Sequence, residues 1–156
     1  MKKHLAAALA ALLLLAPTAG AEQSVALGLR STNGSDDAEL YYRAVRDAPL
    51  LGRLRPVAGA AVTSAGAAWA GAGLLMRIGG EQGGYLQASV MPGLYARGEG
   101  PDLGHPVEFR SGIELGYRWP SGMRLGLYAD HISNAGLGDE NPGSDALGLR
   151  VTLPLR

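Results

Sequence analysis

Residues 107–119 alternate in chemistry with a period of two. Val107, Phe109, Ile113, Leu115, Tyr117 and Trp119 share one parity, while Glu108, Arg110, Gly112, Glu114, Gly116 and Arg118 occupy the other. Successive side chains of a β-strand point to opposite faces, so the pattern dictates a strand with one apolar face and one face of charges and glycines. Two further runs repeat it. Met123, Leu125, Leu127 and Ala129 oppose Arg124, Gly126, Tyr128 and Asp130, and Leu147, Leu149, Val151, Leu153 and Leu155 oppose Gly148, Arg150 and Thr152.

No segment after Gln23 supports a long amphipathic helix; the best apolar run, 66–78, is interrupted by Gly71 and Gly73. The chain instead divides into eight runs of strand length separated by turn residues, at 24–30, 39–46, 53–62, 67–78, 85–96, 107–119, 123–133 and 145–155. A soluble β-sandwich also alternates, with its apolar face turned inward. Runs of about ten residues match a tilted membrane crossing, and Arg and Glu interspersed with Gly suit a narrow lumen of paired charges. Phe109, Tyr117, Trp119 and Tyr128 fall near strand ends, where interfacial aromatics belong. The expected fold is therefore all-β: an eight-stranded antiparallel transmembrane β-barrel of the outer membrane.

The N-terminus fits that destination. Met1-Lys2-Lys3-His4 is a basic start, 5–16 is an almost unbroken Ala/Leu run, and Pro17-Thr18-Ala19-Gly20-Ala21 ends in a small-x-small pattern. This is the grammar of a cleaved signal peptide, expected over 1–21, with a single barrel domain over 22–156. The alternative, a membrane anchor, is disfavoured because a transmembrane helix needs roughly 20 apolar residues. Lys2 and Lys3 are the only lysines, so the remaining chain sets 12 Arg against 14 acidic residues. Such a balance gives no electrostatic footprint for nucleic acid, and the absence of cysteine excludes disulfide scaffolds and thiolate metal sites. With the N-terminus periplasmic, 31–38 and 97–106 are expected to be long external loops and Pro120-Ser121-Gly122 a tight periplasmic turn.

Three reactive residues stand out against this frame. His131 and Ser133 are two apart and share the parity of the apolar residues 123, 125 and 127, so both leave the strand on the lipid face. Asp145 shares the parity of Leu147 and Leu149 on the next strand. Polar groups on a lipid-facing surface are costly unless paired or interfacial. Serine, histidine and a carboxylate are also the parts of an activated nucleophile: histidine takes the serine proton, and the acid fixes the histidine tautomer. Geometry alone leaves this open against a plain interfacial belt of polar residues. His105 reads as a solvated loop histidine, and Asp36, Asp37 and Glu39 as a solvated acidic loop or a cation site bridging lipid phosphates. Arg97 is a candidate phosphate contact at the outer rim, and Arg110 is expected to pair inside with Glu108 or Glu114. Gly-x-Ser-x-Gly, His-Glu-x-x-His and Walker patterns are missing, which removes support for soluble hydrolase, zincin and nucleotide-enzyme alternatives.

His131-x-Ser133-Asn134-Ala135-Gly136 followed by Asn141-Pro142-Gly143, on the last two strands of a small barrel, resembles the PagL-type lipid A 3-O-deacylases. The stretch from Glu108-Phe109-Arg110 to Gly116-Tyr117 is similar to that family's preceding strand, and the likeness covers about 108–155. The resemblance implies an esterase that removes the 3-O-linked acyl chain of lipid A in lipopolysaccharide, with Ser133 as nucleophile and His131 as general base. The family's acid, usually glutamate, falls at Asp145; Glu140, in the same external loop, is the competing candidate. Asn134 matches a residue implied to help form the oxyanion hole, through its side chain or a neighbouring N–H, and is alternatively a turn former ahead of Gly136. Asn141 is implied to shape the loop that carries Asp145. No metal or organic cofactor is implied, the partner is lipid A in the outer leaflet, and a homodimer stays open. The rival function is a non-catalytic barrel with a structural or adhesion role.

Overall fold

The computed structural model describes residues 21–154; the expected signal peptide lies outside the described residues apart from Ala21, as does Leu155 of the expected last strand. Eight strands follow in chain order: β1 (Ala21–Thr32), β2 (Ser35–Arg46), β3 (Leu54–Thr63), β4 (Ala68–Gly79), β5 (Gly83–Ala96), β6 (Val107–Arg118), β7 (Arg124–Ser133) and β8 (Ser144–Leu153). Each pairs antiparallel with the next, and β8 closes onto β1 through pairs such as Leu27 with Leu149, giving a closed barrel. Closure removes every sheet edge, the condition for crossing a bilayer with strands. All eight expected strands are present, with ends that differ by a few residues.

The alternation sorts as the sequence pattern requires. Leu27, Leu115, Leu127 and Leu149 lie exposed on the outside, while Arg110, Glu114, Arg124 and Arg150 are buried in the lumen. The lumen charges form three groups. Near one end Glu39 and Asp130 are shared between Arg30 and Arg110, with contacts of 2.6 Å. In the middle Glu114 takes Arg43 at 3.1 Å, Arg150 at 2.5 Å and the Tyr85 hydroxyl at 2.5 Å. Near the other end Glu22 takes Arg77 at 2.8 Å and also Arg124. The Arg110 guanidinium stacks over the Tyr41 ring at 3.7 Å. The interior is filled: a void lined by Tyr41, Arg43, Arg110 and Glu114 measures only about 10 Å³, at the lower limit for a single water.

Three expectations are corrected. Segment 31–38 is not a long loop, because β1 and β2 run on to a two-residue turn at Asn33-Gly34, with Thr32 paired to Ser35. Asn-Gly is the strongest short hairpin signal, and it outweighs the polarity of the flanking residues. Glu39 consequently sits inside the barrel on β2, and cannot share a solvated cation site with Asp36 and Asp37. Arg110 does point inward, but its partners are Glu39 and Asp130, while neither carboxylate oxygen of Glu108 has a partner among the described residues. Pairs across a lumen depend on stagger around the barrel, which strand parity does not specify. Finally, Tyr128 is lumenal and packs edge-on against Tyr41, in space left by the missing side chains of Gly28 and Gly148. Tyr117 and Trp119 do form an edge-to-face pair at a strand end, with centroids 5.3 Å apart.

Candidate active site

The site begins with register. β7 and β8 pair so that His131 lies directly opposite Asp145, and both side chains point out of the barrel. His131 Nδ1 lies 2.8 Å from Asp145 Oδ1. An ionised carboxylate only accepts, so Nδ1 carries the hydrogen and donates it, leaving the Nε2 lone pair free to take a proton. Glu140, the competing acid, offers only its backbone carbonyl to this region, as the acceptor of an Asn134 amide hydrogen at 2.7 Å. Its side chain is exposed and makes no hydrogen bond to His131.

Ser133 ends β7, two residues beyond His131 on the same face, with Phe109 of β6 as its cross-strand partner. Among the described residues no hydrogen bond joins Ser133 to His131. Catalytic contacts of this kind are often open in a protein without substrate and tighten when substrate binds. Ser111 and Ser31 stand opposite His131 and Asp145 on β6 and β1, so one row across four strands reads Ser111, His131, Asp145, Ser31. Below that row an open groove of about 790 Å³ descends the outer wall, floored by Ala129, Ile113, Ala88 and Leu147. The two flanking serines were not singled out from the sequence; both interrupt apolar stripes, which was the available signal.

The loop 134–143 that joins β7 to β8 is tied down at Asn134. This residue is fully buried, and its amide donates to the carbonyls of Leu103 at 2.9 Å and Glu140 at 2.7 Å. Its Oδ1 accepts from the Gly136 N–H at 2.9 Å, and its own N–H donates to Asn141 Oδ1 at 3.0 Å. Both amide hydrogens are therefore spent on the loops, and the side chain acts as a brace. The opposite parity of Asn134 needs no bulge, because the strand has already ended. Leu103, from the loop 97–106, plugs the mouth of the barrel and joins the buried cluster with Ile132 and Trp69. Ala135 takes a positive φ of 56°, and its N–H makes no hydrogen bond among the described residues.

Gly143 closes the loop over the reactive edge of the imidazole. A Cβ at that position would stand 2.7 Å from His131 Cε1 and 3.2 Å from Nε2. The other sequence candidates lie apart. His105 Nδ1 accepts from the Val107 N–H at 3.0 Å, which makes it a local turn residue. Arg97 binds exposed Asp102 at 2.9 Å, and the Gly104 N–H together with that guanidinium holds the Asp102 carboxyl below its ordinary range. Among the described residues no group of three or more His, Asp or Glu is placed to hold a metal ion.

The family model described as lipid A 3-O-deacylase (PagL) matches residues 38–154, a span that contains His131, Ser133, Asn134, Asn141, Gly143 and Asp145. Among solved structures, the outer membrane enzyme PagL superposes with a TM-score of 0.68 at 23% identity, covering 86% of this chain and 99% of that one. Neisserial surface protein A gives 0.57 at 13% identity, covering 86% and 96%. A de novo designed transmembrane β-barrel gives 0.56 at 12% identity, covering 88% and 98%. No curated protein matches the chain. The structural likenesses carry the barrel fold; the family match spans most of the chain.

Proposed function

The chain belongs to the lipid A 3-O-deacylase (PagL) family of outer-membrane ester hydrolases, and on that premise we propose that Ser133, His131 and Asp145 are the triad with which it cleaves the 3-O-linked acyl chain of lipid A. The observation that carries the reading is the 2.8 Å His131–Asp145 pair on the outer wall, with Ser133 two residues further on. A structural barrel gains nothing from a hydrogen-bonded histidine and aspartate facing lipid, where each polar group costs desolvation.

In this mechanism His131 Nε2 takes the Ser133 hydroxyl proton as Oγ attacks the ester carbonyl carbon. Asp145 holds the ring and stabilises the imidazolium that forms. The tetrahedral oxyanion needs a fixed donor, typically worth about 3 kcal/mol; the uncommitted Ala135 N–H supplies it, and Asn134 and Asn141 keep that turn in place. Collapse breaks the bond to the sugar 3-oxygen, which leaves with the proton from His131. Water, deprotonated by the same nitrogen, then attacks the acyl-serine and releases the fatty acid. The bilayer itself presents the substrate, so the site opens sideways and the filled lumen takes no part. The segment 1–21 serves as the signal peptide that exports the chain.

The test is mass spectrometry of lipid A from cells that express the protein or its Ser133→Ala variant at equal barrel abundance. Loss of one hydroxyacyl group with the unaltered protein alone supports the reading. Loss with both removes Ser133 as nucleophile. Unchanged lipid A with both, in membranes and in detergent, refutes the esterase reading and favours a structural barrel.

A further inference from the structure

The end of the barrel opposite the triad carries a second constellation. The triad end bears the ten-residue loops 97–106 and 134–143 beside the tight turns 33–34 and 64–67, whereas no connection at the opposite end, 47–53, 80–82 or 119–123, exceeds seven residues. Short connections are periplasmic in outer-membrane barrels. Between 47–53 and 80–82 lies a cleft of about 440 Å³ lined by Arg53, Arg55, Arg77 and Arg118, with Glu81 as its one carboxylate. An adjoining cleft of about 320 Å³ shares Arg55, Arg77 and Arg118.

These arginines are not equally occupied. Arg77 is engaged, giving Nε to Gln87 at 2.9 Å and one hydrogen from each terminal nitrogen to Glu22. Arg55 reaches Asp47 only at 3.6 Å, between two partly exposed side chains. Arg53 and Arg118 have no acidic partner among the described residues, and Arg118 Nε is buried without any hydrogen-bond acceptor. Arg43, Arg124 and Arg150 in the lumen share that unpaired Nε; what sets this cleft apart is positive charge without a matching carboxylate at Arg53 and Arg118, which favours an anionic acceptor from outside the chain.

The adjoining turn says where that acceptor comes from. Leu50 and Leu51 are 71% and 73% exposed at the turn's outer edge, and Ile78 beside the cleft is 50% exposed. Their display is fixed, because Leu50 N–H donates to the Leu54 carbonyl at 2.8 Å and Leu54 N–H to the Leu51 carbonyl at 2.9 Å. Adjacent leucines held outward beside guanidinium groups match the layering of a lipid leaflet, with acyl chains next to phosphates.

We propose that the turn 47–53, with Arg53, Arg55 and Arg118, is a headgroup site for an anionic phospholipid of the periplasmic leaflet. The phosphodiester sits between the guanidinium groups, and Leu50 and Leu51 enter the acyl region beside it. The proposal rests on the membrane orientation taken above, not on the triad, and lipid binding reads it out independently of deacylation.

The test is native mass spectrometry of the purified full barrel in non-ionic detergent, titrated with phosphatidylglycerol, phosphatidylethanolamine or inorganic phosphate. The expected result is retention of phosphatidylglycerol over phosphatidylethanolamine by about fivefold for each arginine engaged, the effect of one interfacial cation on an anionic lipid. Arg53→Gln, at an exposed turn position, reduces that preference by about fivefold, and Arg53→Gln with Arg118→Gln abolishes it. Arg97→Gln at the other end leaves it unchanged, and Ser133→Ala, inactive as an esterase, retains it. Equal preference in the unaltered barrel and Arg53→Gln overturns the proposal. Displacement of bound lipid by millimolar inorganic phosphate overturns the lipid as ligand and leaves a soluble phosphate site.

Discussion

Gly143→Ala isolates the part of the site that no charge argument touches. The backbone at this position has φ of +66°, in the left-handed region, where an alanine costs roughly 1–2 kcal/mol. The new methyl also stands 2.7 Å from His131 Cε1, whereas an ordinary contact begins near 3.4 Å. The imidazole must therefore retreat by about 0.7 Å, away from the place where Nε2 meets Ser133. A misplacement of about 1 Å costs on the order of 100-fold in rate, so kcat is expected to fall about 30- to 100-fold. Gly136→Ala provides the control. It sits in the same loop with φ of +81° and nothing within 4 Å of its would-be Cβ, so it bears the backbone cost without the collision. The assay is release of fatty acid from lipid A in detergent micelles, with folded barrel quantified by heat-modifiable migration. Equal losses for the two variants would show that loop strain, and not the position of His131, controls the rate, and would refute the reasoning.

Asp145→Glu, which restores the family's usual acid, is expected to keep or raise activity, while Asp145→Asn lowers kcat by about 10⁴-fold through the wrong histidine tautomer; Glu140→Gln serves as the neutral comparison in the same micelle assay. Asn134→Ala removes the acceptors' partners at the Leu103 and Glu140 carbonyls, at about 1–3 kcal/mol for each group left unsatisfied, and urea titration of the folded barrel should show the loss together with a fall in kcat. Asp130→Asn weakens the compensation of Arg30 and Arg110, both buried and 2.6 Å from that carboxylate. Removing one partner of a buried pair typically costs about 3–5 kcal/mol, and the urea midpoint should drop accordingly while the outer wall and the His131–Asp145 pair on it stay intact.

What could be read in advance follows from what strand geometry encodes. Parity is local, so the strict alternation of 107–119 and 123–133 placed Arg110 and Glu114 inside and His131 and Ser133 outside without any tertiary knowledge. Register is not local. That His131 meets Asp145 depends on how ten loop residues close between β7 and β8, and this closure is set by Asn134, whose four hydrogen bonds reach two different loops. The sequence marks Asn134 as a polar residue of the wrong parity, as a turn former ahead of Gly136 and, through the family resemblance, as an oxyanion residue, but not as the tie between two loops. Lumen partners were illegible for the same reason: Arg110 finds Glu39, 71 positions away, because the barrel's stagger brings β2 and β6 to one height.

This division between local and closed-barrel information has a functional consequence. The lumen ion pairs, such as Arg110 with Glu39 and Arg150 with Glu114, help specify the barrel from inside, so the outer wall carries less of the duty to hold the fold together. On an ordinary soluble protein, a serine, a histidine and an aspartate grouped on the surface would be bathed in water of high dielectric. In the proposed mechanism, on a barrel in a bilayer, one neighbour is the ester and the adjoining medium is hydrocarbon, so the His131–Asp145 pair acts at a lower dielectric than in water, where such an interaction is stronger. The same inversion that makes polar groups expensive on this face makes them effective when substrate lies against it, and that is why their presence there argues for chemistry rather than for structure.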